Sequence, residues 1–361
     1  MPEPAPVVEA PPPPVIPEPI PLFDSPLPAD VGALPDGLAN LSAQGCNACH
    51  YQSHDSWAQS THATGHTTPA FTEALREVGT PACQVCHLPL SAQHVEIVAF
   101  DAEDVNRPLH EENPEYQASL HTEGVTCAAC HVRNGTVVAA EPPTGQAPHP
   151  VGWSPELRAS SFCGTCHQLT WPGANQPLYD TFGEWQRSPQ GVAGITCQDC
   201  HMGPGASGTH DGSNHVFDAA RGRALSVLVD IPATILVRGG DPLVGEIILQ
   251  NTGAGHAWPT GSPFRGVRLD IFLETLIDGK VTRAAVQTLH LARELEEEPP
   301  FASVGDTRLS AGEERRIPWS GSLKHDAAAG PWFLVVTTTA TVRGTPQEGE
   351  VVHRRIPVGV E

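Results

Sequence analysis

Ten cysteines fall into five copies of one pattern, Cys-x-x-Cys-His, with none left over. The copies are Cys46, Cys49 and His50; Cys83, Cys86 and His87; Cys127, Cys130 and His131; Cys163, Cys166 and His167; and Cys197, Cys200 and His201. Thiols three positions apart lie on one side of a helical turn, where they can meet two vinyl groups on one porphyrin edge. The histidine that follows can then turn its imidazole under the iron. The pattern reads as five sites of covalent haem c attachment, each with a proximal histidine. A disulfide framework gives no reason for histidine after every second cysteine, and Cys-x-x-Cys zinc sites come in pairs, which five does not allow. At about 1 in 20 per position for a common residue, five such histidines by accident are a vanishing coincidence.

Each iron needs a sixth ligand or an open face, and that choice separates a carrier from an enzyme. The only methionines are Met1 and Met202, and the only lysines, Lys280 and Lys324, lie in the C-terminal region, so histidine is the expected partner. A repeated phrase sorts the remaining imidazoles. WAQSTH ends in His62 and YQASLH in His121, whereas WQRSPQ, ahead of the fifth attachment motif, puts Gln190 in that slot. His62 and His121 are therefore the leading distal candidates. His94 follows His87 closely enough to serve a neighbouring haem, while His149 and His215 sit in polar, turn-rich stretches. His256 lies in the glycine-rich NTGAGHAWPTG loop, where small residues permit close approach to a flat ligand. His54, His66, His110 and His210 rank lower, as surface or structural histidines. Six candidates (His62, His94, His121, His149, His215, His256) thus stand for five irons, so Gln190 need not mark an open site.

The elements that position these groups follow from texture. Residues 41–215 carry all five motifs, too few to wrap each porphyrin separately, so stacked haems are expected to form much of a coil-rich core with short helices at the motifs. From residue 216 the chain turns to alternating apolar runs broken by Gly, Pro and Asp. In GVRLDIFLET, Val267, Leu269, Ile271 and Leu273 share one face and Arg268, Asp270 and Glu274 the other. The expected fold class is α+β: a haem-packed domain over 41–215 followed by an immunoglobulin-like β-sandwich over 216–361. Residues 1–40, rich in proline, read as a disordered tether.

The net charge is −21, of which −6 falls on residues 1–40, −12 on 41–215 and −3 on 216–361. That balance excludes nucleic acid as a partner and suits redox protein donors and acceptors. No transmembrane segment is expected, although the N-terminal stretch permits membrane tethering. Haem of this type is attached outside the cytoplasm, so an export signal is expected upstream, with work in the periplasm or at the cell surface.

The order of the motifs, the CHLPLSAQH stretch, the run from Cys163 to Met202, then NHVF and GAGHAWPTG resemble multihaem cytochromes of the broad group that holds hydroxylamine oxidoreductases and pentahaem nitrite reductases. The likeness covers residues 41 to about 275 and extends to cytochromes with a C-terminal β domain bearing a Gly-His-x-x-Pro-Thr-Gly loop. It implies that the histidines of the Ser-x-His phrases, His62 and His121, ligate haems bound elsewhere in the chain. The chain lacks the Cys-x-x-Cys-Lys catalytic motif of those nitrite reductases, and offers only Tyr51, Tyr116 and Tyr179 for the tyrosine cross-link of hydroxylamine oxidoreductases. The expected function is electron transfer along bis-histidine haems, more a carrier than an enzyme. The alternative is an oxidoreductase acting on a small nitrogen or sulfur compound at one open haem. A terminal haem ligated by the next subunit would permit self-assembly.

Overall fold

The computed structural model describes residues 17–22, 27–78, 83–100, 108–171, 173–203, 214–217, 224–231, 235–236 and 238–360. They group into two compact units: unit 1 holds residues up to Asp55 and His62–Arg158, and unit 2 holds Ser56–Thr61 and Ala159–Glu361. The change to strand texture at 216 therefore falls inside unit 2, and the fourth and fifth motifs belong with the strands.

Unit 1 is built of short helices: α1 (Ala43–Asn47), α2 (Tyr51–Ala58), α3 (Thr61–Thr64), α4 (Pro69–Val78), α5 (Gln84–His87), α6 (Ala118–His121) and α7 (Cys127–His131), of which α2 and α3 run across the boundary with unit 2. Between and after them lie a hairpin, β1 (Glu96–Phe100) with β2 (Pro108–Glu112), and a small sheet of β3 (Val132–Arg133), β4 (Thr136–Ala139) and β5 (Val151–Trp153). Helices this short cannot stand on intrinsic propensity. Side chains tie some of their ends together. The Glu123 carboxylate accepts from Ser42 Oγ, from Ala43 N at 2.8 Å and from Thr126 Oγ1 at 2.6 Å, so one acid caps α1 and ties it to the residue before α7. Buried Gln93 donates to the carbonyls of Leu120 and Gly124 at 2.9 and 2.7 Å and accepts from Leu90 N, binding three loops into one block. The largest apolar cluster among the described residues of unit 1 has eight buried members, three of them alanine.

Of the tether expected over residues 1–40, residues 17–22 and 27–40 are described and make contacts, while residues 1–16 and 23–26 lie outside the described residues. Ile20 N donates to Trp153 O and Trp153 Nε1 donates to Pro17 O, so the segment lies along the β5 edge. Leu22 is buried, its carbonyl receiving Arg133 Nε at 2.7 Å. Ala29 bridges to Leu90, and Val31 O accepts from Asn134 N at 2.7 Å. Prolines cannot donate to a ladder but do suit an edge, and alternating Ile and Leu side chains supply burial that proline density conceals.

Unit 2 opens with α8 (Ser160–His167), α9 (Thr181–Gln186), α10 (Pro189–Val192) and α11 (Cys197–His201). Among the described residues nine strands follow: β6 (Leu225–Asp230), β7 (Ile235–Leu236), β8 (Leu243–Asn251), β9 (Arg265–Ile277), β10 (Lys280–Leu295), β11 (Ser303–Asp306), β12 (Glu314–Gly321), β13 (Trp332–Val342) and β14 (Thr345–Val360). They form a six-stranded sheet in the order β11-β10-β9-β13-β14-β7 and a three-stranded sheet β12-β8-β6, antiparallel except where β7 joins β14. One core takes side chains from both: Val227, Ile247, Leu249 and Trp319 from the small sheet, and Leu269, Ile271, Leu273, Leu334 and Val336 from the large one. The alternation read in β9 holds, with Val267, Leu269, Ile271 and Leu273 in that core. Its other face is buried as well. Asp270 and Glu274 are covered by arginines, Arg268 on Asp270 at 2.8 Å and Arg283 and Arg355 on Glu274 at 3.1 and 2.5 Å. The chain is thus α+β, with a helical, loop-rich first unit and a second in which helices precede two sheets. No helix among the described residues is long and apolar enough to cross a membrane.

Candidate haem-iron sites

The attachment histidines close helices in four of the five motifs: His87 ends α5, His131 ends α7, His167 ends α8 and His201 ends α11. In the first motif α1 stops at Asn47, but His50 N still donates to Cys46 O at 2.9 Å, which keeps the helical turn. None of the ten cysteines is in a disulfide.

Four of the five motifs meet in pairs. In unit 1 the Cys46 and Cys127 thiols hydrogen-bond, which lowers Cys46 to about 7 and raises Cys127. In unit 2 Cys163 and Cys197 do the same. That bond, with a further one from Ser160, brings Cys197 down to about 6 against the pull of burial. The helix starts are joined to match: Cys197 N donates to Ser160 Oγ at 3.0 Å and Gln198 Nε2 to Ala159 O at 2.9 Å.

The best-defined pair of candidate axial histidines is in unit 2. The rings of His201 and His256 have centroids 6.2 Å apart and planes inclined by 21°. Imidazole-to-metal bonds of about 2.0 Å, with about 1.1 Å from nitrogen to ring centre, put two axial rings about 6.3 Å apart across one iron. Each ring is oriented through its other nitrogen, His201 Nδ1 on Phe217 O at 3.0 Å and His256 Nδ1 on Ala257 O at 2.9 Å. That is the arrangement expected of metal-ligating histidine, with Nε2 left for the metal. Burial, with smaller help from His201, lowers the pKa of His256 and favours the neutral, ligating ring. The residues present therefore fit a haem.

Local chemistry builds the His256 loop. Asn251, fully buried at the end of β8, donates to the carbonyls of His256 and Leu309 at 2.8 and 3.0 Å and accepts from Ala254 N. Glu184 of α9 accepts from Ala257 N at 3.1 Å and Thr260 Oγ1 at 3.3 Å, while its other oxygen pairs with Arg308 at 2.7 Å. Gly255 lies against the third phrase: a Cβ there would stand 3.1 Å from Gln190 Cβ, 3.3 Å from Trp185 and 3.4 Å from Ser188 Oγ. Gln190 Oε1 is buried and has no hydrogen-bond partner. His167 feels both His201 and His256 electrostatically, so the fourth motif stands beside this pair. His215 is tied by its backbone to Ser56 Oγ at 3.3 Å, its ring edge-on to Phe217 at 5.8 Å.

In unit 1 His131 Nδ1 reaches Val138 O at 2.8 Å, again the orientation of a ligand held by a carbonyl. His121 Nδ1 lies 2.7 Å from Gln93 O, and His94, the next residue, places Nε2 2.7 Å from Leu88 O, so one buried glutamine organises both candidates. His62 is fixed through its carbonyl, which accepts from Val125 N at 2.9 Å beside Gly124, where φ is +61° and any Cβ would strike that carbonyl. His149 stands apart, its Nδ1 reaching only the neighbouring Pro150 O at 3.4 Å. His50 and His87 complete the set of motif histidines, and the Phe71 ring stacks on His87 at 4.1 Å. Glu123, Glu184 and Asn251 were not singled out from the sequence. Their role is to hold backbone, which leaves no motif. Among the described residues no group of three or more His, Cys, Asp or Glu side chains could hold a metal ion by itself.

No family model and no curated protein matches the chain. Solved structures that align to 38% of it include the CARDB domain of the PF1109 protein from Pyrococcus furiosus, at 14% identity over 91% of that chain with a TM-score of 0.21. The sporulation control protein Spo0M from Bacillus subtilis aligns over 49% of its own length at 15% identity and a TM-score of 0.19. AvmM, which catalyses macrocyclization in alchivemycin A biosynthesis, aligns over 89% of its length at 9% identity and a TM-score of 0.24. Likenesses this slight carry no argument about what the chain does.

Proposed function

We propose that the chain is a pentahaem c-type cytochrome of the periplasm or cell surface, which transfers electrons through bis-histidine haems. The observation that carries it is the set of five Cys-x-x-Cys-His motifs together with the His201–His256 spacing of 6.2 Å. Cys46, Cys49, Cys83, Cys86, Cys127, Cys130, Cys163, Cys166, Cys197 and Cys200 would hold the five haems as thioethers. Bound there, haem supplies a reversible one-electron couple. His50, His87, His131, His167 and His201 would bind the irons from the motifs, and His256 would bind the iron held at the fifth motif with His201. Carbonyls such as Val138 O and Phe217 O fix the proximal rings and raise their basicity. Histidine in place of methionine keeps the potentials low. The small apolar cluster of unit 1 suits a core completed by porphyrin faces. The paired motifs suit close haem pairs. The two sheets of unit 2 read as an immunoglobulin-like sandwich whose loop brings His256 to the fifth motif. The acidic balance suits basic redox partners outside the cytoplasm.

A second reading, a reductase or oxidase of a small nitrogen or sulfur compound, has one feature in its favour. A cavity of about 620 Å³ beside the His256 loop is lined by Arg187, Arg293 and Arg308 as well as Glu184 and Ala257. The test is paramagnetic resonance of the oxidised, haem-loaded protein with and without nitrite, hydroxylamine or cyanide. Five low-spin signals indifferent to all three are expected. A high-spin signal that shifts with one of them would replace the carrier by the enzyme.

A further inference from the structure

Unit 1 contains three attachment motifs, and of its four distal candidates His149 is half-buried in a loop whose other residues are mostly exposed. A different histidine has the surroundings of a ligand. His66 is only 8% exposed, and its Nδ1 is buried with no hydrogen-bond partner. A buried ring nitrogen without a partner is costly unless something takes its lone pair. The side chain is not loosely placed. It projects from the turn between α3 and α4, where Thr67 Oγ1 donates to Thr64 O at 3.0 Å and Thr68 Oγ1 to Gly65 O at 3.3 Å. Its ring centroid lies 6.2 Å from that of His121, with planes at 79°, so it shares the block that Gln93 organises. Five residues on, Phe71 stacks on the proximal His87.

We propose that His66 is an axial ligand to one of the three haem irons of unit 1. The inference rests on the pentahaem reading and adds to it a ligand that no Ser-x-His phrase marks. His62 and His66 then lie four residues apart in one chain segment and serve different irons.

The experiment uses the full, haem-loaded chain with H66A, H66M and H149A. Covalent haem is counted by mass, and spin state is read by paramagnetic resonance and Soret absorption. Five haems are expected in every variant. In H66A one iron in five should become high-spin. In H66M a thioether can take the vacated position, so the iron should return to low spin with a raised potential in a redox titration, a change that a merely structural role would not produce. Five low-spin irons in H66A with an unchanged titration in H66M would overturn the proposal. So would a loss of low-spin signal in H149A and not in H66A. A wild-type chain with fewer than five covalent haems would instead sink the pentahaem reading itself.

Discussion

Removing the Glu184 carboxylate tests whether the His256 loop is held from α9. Both members of the Glu184–Arg308 pair are largely sealed, at 13% and 9% side-chain exposure, and the carboxylate also receives Ala257 N and Thr260 Oγ1. Breaking a buried pair by deleting one partner costs about 3–5 kcal/mol. Arg308 keeps Asp306 at 2.8 Å, which places E184A near the lower end, and the stranded Ala257 N–H adds about 1 kcal/mol. A loss of about 3–4 kcal/mol from a unit of this size lowers its melting temperature by about 2–4 °C per kcal/mol, or about 6–16 °C. E184Q preserves shape and an acceptor for Ala257 N, so it should lose about half as much. The assay is thermal circular dichroism of the haem-loaded chain in the β region, with the R308M single and E184Q/R308M double variants completing a cycle. A melting temperature for E184A within about 2 °C of the parent, or a coupling near zero, would show that the pair behaves like an exposed one. Glu184 would then not be what holds the loop.

Three further outcomes follow from particular contacts. L22A should destabilise unit 1 by about 2–5 kcal/mol in denaturant titration, because Leu22 is 1% exposed; a change under about 1 kcal/mol would mean that the segment from residue 17 does not dock. Burial, aided by Arg354, lowers the pKa of His353, whose Nε2 meets Thr338 Oγ1 at 2.8 Å. The unfolded chain therefore takes that proton first, and stability should fall as pH drops below about 6.5 until the lower folded value is passed. H353Q should flatten that slope between pH 7.5 and 5.5, and an unchanged slope would refute the assignment. G255V should force the loop away from Gln190 and Trp185 and alter the spin state or potential of one haem, whereas five unchanged haems would show that the loop is slack.

The proposed chemistry rests on local signals: five short patterns point to cofactor and proximal ligand, and four of them end a helix in the structure. The alternation in β9 was legible for the same reason. What escaped reading lies in contacts between distant residues. Proline-rich residues 17–22 and 27–40 look unstructured because proline hides the Ile20, Leu22 and Val31 side chains among residues that favour extended chain. A division at residue 216 follows composition, while packing follows Arg293, which donates to the carbonyls of Leu178 and Pro177 more than a hundred residues earlier, and Arg308, which reaches Glu184. Burial of Asp270 and Glu274 depends on arginines from β9, β10 and β14, and no single strand announces it.

The phrase that ends in Gln190 shows how local and distant information meet. Its first two copies end in histidine, and the third keeps the aromatic residue and the serine that frame the turn. Ser188 Oγ caps α10 by accepting from Gly191 N at 3.0 Å, and Trp185 Nε1 donates to Ile195 O at 2.8 Å, which closes the approach to Cys197. The frame thus works without an imidazole at position 190. Gly255 packs onto this same frame, and the next residue is the one whose ring stands 6.2 Å from His201. On the proposed reading the strand region of unit 2 supplies what the phrase lacks. It does so through a glycine small enough to touch the phrase and an acid, Glu184, that belongs to the phrase's own helix. Loss of one histidine from a repeat is then evidence about where the chain's other half must fold.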